Sequence, residues 1–443
     1  MRIGLISLGC PKNQVDAEMM LAALQEDGFE IVDFVDGADA VIINTCAFID
    51  DAKREAIENI LDMVELKNEG VIRKIIVTGC LVQTEKETIL SEFPEVDAVV
   101  GIGANGSVVE LVKKALAEEE RIFECPDQRE MPMDGQRALT TPEYWAYLKI
   151  ADGCSNCCTY CAIPGIRGAF RSRAMENIVE EAKQLAETGV KELILIAQDT
   201  TNYGADLYGE KKLPELLHKL CAIDGIEWIR LLYCYPDKVT DELIETMASE
   251  PKVLHYMDLP LQHADDRVLK AMNRKGTSAE IRALIEKLRA AMPDIVIRTT
   301  FMTGFPGEDE DAFDNLALFV NEMEFDRMGC FSFSPQAGTP AYDMDGQVED
   351  DVKQHRGEIL MNDQYSIVED KNLARIGKTY TVLVEEYDAY ADCYIGRTYM
   401  DAPEIDGVLY FTSTKEYEPG DFAEVLVTDT KEYDLVGRDT AAK

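Results

Sequence analysis

The sequence predicts an α/β protein of three parts: an amino-terminal parallel α/β domain, a central partial barrel of six β–α units, and a carboxyl-terminal all-β barrel. Short apolar runs alternate with segments of helical periodicity along residues 1–120, and the same alternation resumes at residue 144. The period changes after Gly377, where apolar and polar residues alternate one by one. The chain of 443 residues is long enough for about three domains.

The amino-terminal domain is predicted to span residues 1–120. Its first strand covers residues 2–8, and Asp16 is placed to cap the helix that follows. Four apolar residues of that helix have helical spacing: Ala17, Met20, Leu21 and Leu24. Two later β-branched runs, residues 40–43 and 74–77, each precede a segment of helical character, as in a parallel sheet. Residues 121–143 carry prolines and mixed charges without periodicity and are predicted to be a linker.

The central domain is predicted to span residues 144–370, with strands separated by helical segments. The six strand candidates are residues 144–150, 192–197, 227–232, 253–259, 294–299 and 327–333. Six β–α units fit an incomplete barrel better than a closed barrel of eight. Residues 371–443 are predicted to form the small all-β barrel, and their eight basic and 15 acidic residues give a net charge of −7.

The charge of the whole chain bears on its partners. The chain has 84 acidic and 44 basic residues, a net charge of −40, so its field repels phosphate polymers and attracts basic partners. Binding of nucleic acid by charge alone is therefore disfavoured. No apolar run approaches the roughly 18 residues that a membrane span needs, and the residues before Lys12 lack the apolar core of a signal peptide. We expect a cytoplasmic protein that does not act at a membrane.

The cysteine content indicates metal or redox chemistry. Twelve cysteines in a chain of this size do not suggest a disulfide scaffold, because such scaffolds belong to short secreted domains. In a reducing compartment, clustered cysteines more often bind metals or carry redox chemistry. The four histidines are scattered, which disfavours a histidine-rich metal site; they are His218, His255, His263 and His355.

Cys154, Cys158 and Cys161 follow the first strand of the predicted barrel with the spacing C-x3-C-x2-C. Three thiolates on one tight loop can bind three irons of a cubane iron–sulfur cluster and leave the fourth iron open for a substrate or cofactor. A zinc site that also uses Cys157 is an alternative, although zinc sites usually separate their cysteine pairs by about a dozen residues or more. A thioredoxin-like redox pair is a weaker alternative. With three cluster ligands, Cys157 is a bystander.

Three further cysteines follow three predicted strands of the amino-terminal domain: Cys10, Cys46 and Cys80. The carboxyl ends of parallel strands open onto one crevice, so these cysteines can converge into a second three-thiolate site. The glycine and polar neighbours in the words LGCPKN, NTC and TGC let backbone amides approach cluster sulfurs. Burial as small core residues is the alternative interpretation.

Together, these two patterns resemble a known family. The C-x3-C-x2-C loop after the first strand of a six-unit barrel resembles the radical S-adenosylmethionine (SAM) enzymes, and the three upstream cysteines resemble their methylthiotransferase branch. Residues 7–13 (SLGCPKN), 396–399 (GRTY) and 401–407 (DAPEIDG) are similar to the RimO type, with Gln14 where leucine is more usual. The resemblance covers nearly the whole chain. It implies an amino-terminal cluster domain, a radical SAM barrel and a TRAM-type β-barrel for substrate recognition.

The cofactors that this resemblance implies are two [4Fe–4S] clusters and SAM. Cys154, Cys158 and Cys161 would bind the cluster whose open iron chelates SAM. Cys10, Cys46 and Cys80 would bind an auxiliary cluster that presents sulfur. Further residues are expected near the cofactor or substrate, although packing or an ordinary polar rim is an equal alternative for each: Tyr160 near the adenine, Gln198, Arg298 and Thr300 at strand ends, and Gln262 and His263 after the fourth strand. Residues 305–308 (FPGE) are expected to shape a turn.

The reaction implied by the resemblance is methylthiolation of an aspartate β-carbon in the small-subunit ribosomal protein S-twelve. A 5′-deoxyadenosyl radical would abstract the hydrogen, the auxiliary cluster would give sulfur, and another SAM would give the methyl group. The implied partners are that basic protein and a low-potential electron donor such as flavodoxin or ferredoxin. The acidic terminal barrel favours a protein over RNA. The tRNA-modifying branch and a non-catalytic iron–sulfur electron carrier remain alternatives, and no catalytic residue beyond the clusters is assigned.

Overall fold

The computed structural model describes residues 1–32, 35 and 37–440. Within these residues, the amino-terminal sheet has six parallel strands in the order β2-β1-β3-β4-β5-β6. The strands are β1 (Arg2–Ser7), β2 (Glu30–Val32), β3 (Ala40–Thr45), β4 (Lys74–Gly79), β5 (Ala98–Val100) and β6 (Ile122–Glu124). The helices are α1 (Pro11–Glu26), α2 (Asp50–Asn68), α3 (Cys80–Glu92) and α4 (Val108–Ala117).

Helices cover both faces of this sheet, which explains why residues 40–43 of the central strand β3 are all apolar. Val41 and Ile43 of β3 pack in the core formed with α2 and α3. Ala40 and Ile42 point the other way and pack in the core formed with α1 and α4. The predicted parallel α/β domain is therefore confirmed.

Two local features of this domain differ from the sequence prediction. Helix α1 begins at Pro11 with Cys10 at its N-cap, so the prediction that Asp16 caps the helix is wrong. Asp16 instead lies inside the helix with its side chain buried, because it pairs with cations of the next domain. Strand β6 lies in the segment predicted to be a linker and pairs with β5. The exact domain boundaries stay a prediction.

The central domain is a second parallel sheet of six strands in the order β14-β13-β12-β11-β10-β7. These are β7 (Trp145–Lys149), β10 (Glu192–Ile196), β11 (Trp228–Leu231), β12 (Val253–Gln262), β13 (Val296–Thr303) and β14 (Arg327–Ser332). A short hairpin, β8 (Ala151–Asp152) with β9 (Arg171–Ser172), follows β7. The order β7 to β14 matches chain order, as expected for six successive β–α units of a partial barrel.

The central domain has the helices α5 (Ile163–Arg167), α6 (Met175–Glu187), α7 (Leu213–Cys221), α8 (Asp241–Ser249), α9 (Asp266–Ala271), α10 (Ser278–Ala291), α11 (Glu310–Met323) and α12 (Asp350–Leu373). Helix α5 packs against α3 of the amino-terminal domain, and the other helices pack on one face of the central sheet. Ala146 and Leu148 of β7 join this helix-covered core, whereas Trp145 and Tyr147 face the opposite side. Thr277 and Glu280 form a capping box that starts α10.

The carboxyl-terminal domain is a closed five-stranded barrel with the strand order β15-β16-β17-β19-β18. Its strands are β15 (Thr379–Asp388), β16 (Cys393–Arg397), β17 (Leu409–Thr412), β18 (Phe422–Lys431) and β19 (Asp434–Asp439). Strands β17 and β19 are parallel, and the other neighbours are antiparallel. This confirms the predicted all-β barrel.

The terminal barrel docks on the helix-free face of the central sheet. Trp228 of β11 meets Phe422 edge-on, with ring centroids 5.1 Å apart. Glu192 of β10 is buried and pairs with Arg397 of the barrel at 2.8 Å and with Arg230 of β11 at 2.7 Å. Arg230 also donates to the Tyr399 carbonyl at 2.8 Å. The docking surface is thus a buried mixture of aromatic rings and ion pairs.

A search of the described residues for a helix that combines sufficient length and apolarity to traverse a lipid bilayer finds none.

Candidate functional site

The first cysteine triad lies at the carboxyl edge of three adjacent strands. Cys46 directly follows β3, Cys80 directly follows β4 and begins α3, and Cys10 follows β1 and begins α1. Strand β3 lies between β1 and β4 in the sheet. The triad that the sequence suggested is therefore assembled by a single sheet edge, as the rule for parallel sheets predicts.

Close backbone packing holds this edge together. Gly9 has φ +91°, and a Cβ on it would lie 2.7 Å from the Sγ of Cys46. Gly79 has φ +98°, and a Cβ on it would lie 2.4 Å from the Thr45 carbonyl oxygen. Both positions therefore require glycine, because any side chain would push the cysteine-bearing loops apart. Asn13 also stabilises this edge, because its Nδ2 donates a hydrogen bond to the Leu8 carbonyl at 2.8 Å.

The thiols of the first triad act on one another electrostatically. Burial raises the pKa of Cys80 to about 12; Arg167 opposes this rise, and Cys10 and Cys46 add to it. Burial also raises the pKa of Cys46, and Cys10 again contributes. Three thiolates in this place need positive charge to balance them, because a thiol must lose its proton to bind a metal.

A buried ion cluster joins the first triad to the central domain. Arg167 of α5 donates to the Sγ of Cys80 at 3.6 Å, and it pairs with Asp16 at 2.6 Å and with Asp152 at 3.0 Å. Lys149 of β7 pairs with the same two carboxylates. All four charged side chains are buried. This cluster was not predicted from the sequence, where its only signal is a pair of charged residues in and just after an otherwise apolar strand, Lys149 and Asp152.

The second triad lies on the loop after the β8 strand. The Cys154 amide donates to the Gly168 carbonyl at 3.1 Å, and the Cys161 amide donates to the Cys158 carbonyl at 3.1 Å. Burial raises the pKa of Cys161 to about 12, and Cys158 and Cys154 add to the rise. Cys157 is exposed with φ +55°. The loop thus turns Cys157 away, which agrees with its expected role as a bystander.

Aromatic and basic side chains surround the second triad. Tyr235 lies 3.5 Å from the Sγ of Cys158 through its hydroxyl, and the Arg274 guanidinium lies 4.1 Å from the Tyr235 ring centroid. Tyr160 meets Phe305 edge-on, with centroids 6.5 Å apart, and its hydroxyl accepts from Arg274 at 3.4 Å. Tyr235 and Arg274 were missed, because neither lies within a motif of the sequence.

The structure separates the residues predicted to bind cofactor at strand ends. Gln198 lies just after β10; its Nε2 donates to Asp152 at 3.2 Å, and within the described part of the chain its buried Oε1 has no partner. Arg298 and Thr300 lie within β13, so their predicted place at its end is wrong. Strand β13 continues to Thr303, and Arg298 pairs with Asp258 at 3.1 Å and with Asp406 of the terminal barrel at 3.5 Å.

Gln262 was predicted to follow the fourth strand, but β12 continues to that residue, and only His263 lies beyond it. Gln262 ends β12 with φ +72°. His263 is buried, and its Nδ1 accepts from the Asp265 amide at 2.9 Å, so its Nε2 carries the proton and donates to Glu308 at 3.2 Å. Glu308 also accepts from the Gly304 amide at 3.0 Å. These hydrogen bonds close the turn at residues 305–308, as expected from the FPGE motif.

The donor sets suit an iron–sulfur cluster better than a single ion. Across residues 1–32, 35 and 37–440, no three His, Cys, Asp or Glu side chains lie close enough together to hold one metal ion. The thiolates of a cubane cluster bind different irons and so stand further apart than the ligands of one ion. All six cysteines of the two triads are free of disulfides. The orphaned Oε1 of Gln198 adds an acceptor without a protein donor near the second triad.

Comparison with protein-family models gives matches in all three domains. Residues 2–101 match the "Uncharacterized protein family UPF0004", residues 148–320 match the "Radical SAM superfamily", and residues 376–439 match the "TRAM domain".

Curated relatives match the chain over nearly its full length. Two that bear the name "Ribosomal protein uS12 methylthiotransferase RimO" come from Lachnoclostridium phytofermentans and Caldanaerobacter subterraneus subsp. tengcongensis. The first is 49% identical over 99% of each chain. The second is 50% identical over 98% of this chain and 99% of the relative.

Solved structures share the fold at low sequence identity. The radical SAM methyltransferase TsrM from Kitasatospora setae, with cobalamin and a [4Fe-4S] cluster bound, has a TM-score of 0.58 and 14% identity, and 77% of each chain is covered. The cobalamin-dependent SAM radical enzyme OxsB has a TM-score of 0.52 and 12% identity, over 83% of this chain and 56% of that chain.

Proposed function

The chain belongs to the RimO family of radical SAM methylthiotransferases, and on that premise we propose that it adds a methylthio group to the β-carbon of an aspartate in ribosomal protein uS12 (S-twelve). The relatives carry uS12 in their names. The tRNA-modifying alternative is not favoured, because the curated relatives at 45–50% identity are named for the ribosomal protein.

The cofactors are SAM and two [4Fe–4S] clusters. We propose that Cys154, Cys158 and Cys161 bind the cluster that works with SAM. Cys10, Cys46 and Cys80 then bind the auxiliary cluster. When SAM and the two clusters are bound, they provide the chemistry that removes a hydrogen atom from an unactivated carbon and the sulfur that replaces this hydrogen. The observation that supports this assignment is that one buried ion cluster, Arg167 with its carboxylates, joins Cys80 of the first triad to Asp152, which lies two residues before Cys154.

The chain's own residues position these groups and exclude water. The buried Oε1 of Gln198 has no hydrogen-bond donor among the described residues. It can therefore accept a hydrogen bond from SAM, which carries donors. The half-buried Tyr160, whose hydroxyl accepts from Arg274, lies in the motif of the second triad, and in this proposal its ring packs on the adenine. Arg167 offsets the negative charge of the first triad. In this proposal Arg298 and Thr300 line the substrate side of the central sheet.

Two partners belong to the proposal. The substrate is basic as a ribosomal protein, and the net charge of −40 favours its approach. The electron comes from a low-potential donor such as flavodoxin or ferredoxin, and the reaction takes place in the cytoplasm with the ribosomal protein.

An anaerobic assay tests the proposed function. The reconstituted protein receives reductant, SAM, a peptide from uS12 that contains the target aspartate, and unmodified tRNA, and both substrates are analysed by mass spectrometry. We expect a methylthio mass gain on the aspartate of the peptide. A gain on a tRNA adenosine, or on neither substrate, would contradict the proposal.

A further inference from the structure

Lys12 is a buried lysine whose ammonium group pairs with no carboxylate of the described residues. It is the second residue of α1, two positions after Cys10, and its exposed fraction is 6%. The Nζ atom lies 3.2 Å from the centroid of the Tyr233 ring. In the described part of the chain, the Lys12 ammonium forms neither an ion pair nor a hydrogen bond with a carboxylate. The face of the Tyr233 ring can interact with one side of the ammonium. An ammonium has three N–H donors, so donors remain that the ring does not occupy.

The neighbouring cations are all paired. Lys149 and Arg167 share the carboxylates of Asp16 and Asp152. Asp258, the other nearby carboxylate, pairs with Arg298 at 3.1 Å. Among the described residues at this junction, Lys12 is therefore the buried cation that pairs with no carboxylate.

The position of Lys12 is between the first triad and the mouth of the central sheet. Cys10, Arg167, Asp152 and Asp258 are the charged or ionisable groups that act on it. Tyr233 lies beyond the carboxyl end of β11 with φ +60°, and its amide donates to Asp258 at 2.9 Å. The Lys12 ammonium thus faces the space where the carboxyl ends of the two sheets meet.

We propose that Lys12 binds the side-chain carboxylate of the substrate residue and so selects an acidic target. This inference rests on the proposed function, because it concerns the residue that is modified. Burying an ammonium group costs free energy unless its N–H donors find acceptors, and a substrate carboxylate would accept from it in charge-assisted hydrogen bonds. An adenine base carries no charge and would not neutralise the ammonium.

A double-mutant cycle tests this contact by binding. The reconstituted wild type and the Lys12→Met variant are each titrated with two uS12 peptides, one with the target aspartate and one with asparagine in its place, in the presence of SAM. We expect the wild type to bind the aspartate peptide about 10- to 100-fold more tightly than the asparagine peptide. In Lys12→Met this preference should vanish, while the asparagine peptide binds both proteins alike.

The controls separate a substrate contact from other roles. Lys113→Met removes an exposed lysine of α4 and should keep the wild-type preference. The iron and sulfide content and the SAM affinity of Lys12→Met should match the wild type, and Lys12→Gln replaces it if the methionine variant does not fold. An unchanged preference for aspartate, a loss of iron, or a loss of SAM affinity with the preference intact would overturn the inference.

The same titration distinguishes failure of the two proposals. If the wild type modifies the aspartate peptide but Lys12→Met keeps its preference, only the role of Lys12 is wrong. If the wild type neither binds nor modifies that peptide, the proposed function is wrong, and the role of Lys12 fails with it.

Discussion

Cys157 and Cys158 are adjacent in the chain but differ in environment. Cys158 is buried against Tyr235, whereas Cys157 is exposed on a residue with positive φ. We expect Cys158→Ala to lower the iron content of the reconstituted protein by about half, because one of two clusters loses a ligand. Iron analysis measures the change.

The control for this prediction is Cys157→Ala, which removes a thiol from the same loop and should keep full iron content. Cys46→Ala should also lose about half the iron, but it should retain reductive cleavage of SAM, since the second triad is intact. Equal iron loss in Cys157→Ala and Cys158→Ala would contradict the assignment of ligands.

At the scale of single residues, spacing predicted the cysteines but not their supports. The C-x3-C-x2-C motif is contiguous in the chain, so it can be recognised directly in the sequence. Arg167, Asp152 and Lys12 act through contacts between distant segments, which a single sequence does not reveal. Arg298 was misplaced for a different reason: strand β13 continues to Thr303 through its pairing with β14, so Arg298 lies inside the strand.

Helix α1 is the element that connects the first cysteine triad to the central domain. Cys10 caps it, Asp16 pairs with Lys149 and Arg167, and Glu18 pairs with Arg137 at 2.6 Å. Its inward face is therefore polar where it meets the central domain. This explains why helical periodicity alone placed the start of the helix too late.

Replacement of Asp16 tests the importance of this contact. Asp16→Asn leaves two buried cations short of a carboxylate, so we expect the free energy of unfolding to fall by about 3–5 kcal/mol. Urea unfolding measures it. Asp27→Asn is the matched control at the end of the same helix, where the partner Lys113 is exposed, and it should cost less than about 1 kcal/mol. Equal effects of the two variants would refute the argument.

Most strands could be predicted from the sequence, whereas their ends could not. Buried β-branched runs mark the strand centres in both sheets. Strand β13 extends four residues past its predicted end at residue 299 because Thr300–Thr303 pair with β14. Strand β6 was missed because a run of three residues, Ile122–Glu124, is too short to show a period.

For the whole molecule, Glu192 links the terminal barrel to the central sheet. Burial alone would raise the pKa of Glu192, but Arg397 and Arg230 outweigh it and hold the pKa below its usual value. A lowered carboxyl pKa contributes stability that is present above the unfolded pKa, about 4.3, and is lost as pH falls below it. The docked state should therefore weaken in acid.

Glu192→Gln tests this pH dependence. At neutral pH the variant should unfold with about 3 kcal/mol less free energy than the wild type, since Arg397 and Arg230 lose their charge partner. The difference should shrink as pH falls below about 4, because the unfolded wild type takes up a proton there, whereas the folded carboxylate does so only at lower pH. Tryptophan fluorescence reports the unfolding, because Trp145 and Trp228 lie in the shared core. A difference that does not change with pH would contradict the prediction.

Chain length and apolar periodicity predicted the three-domain plan, whereas the net charge does not show which acidic residues form ion pairs within the fold. The terminal barrel has net charge −7, yet Asp401, Asp406 and Asp439 are buried or bound within the fold. Asp401 pairs with Arg327 of the central sheet at 2.5 Å. Some of the acidic residues counted from the sequence thus hold domains together and do not face a partner.

The ion cluster around Arg167 has a consequence for how the substrate must behave. Because one set of buried charges ties α1, α5 and β8 to each other, we expect the distance between the two triads to stay constant during turnover. In the proposed reaction the modified residue must reach both triads, so it is the substrate that has to move. We therefore expect the enzyme to prefer a pliable, extended segment over a residue held inside a rigid fold.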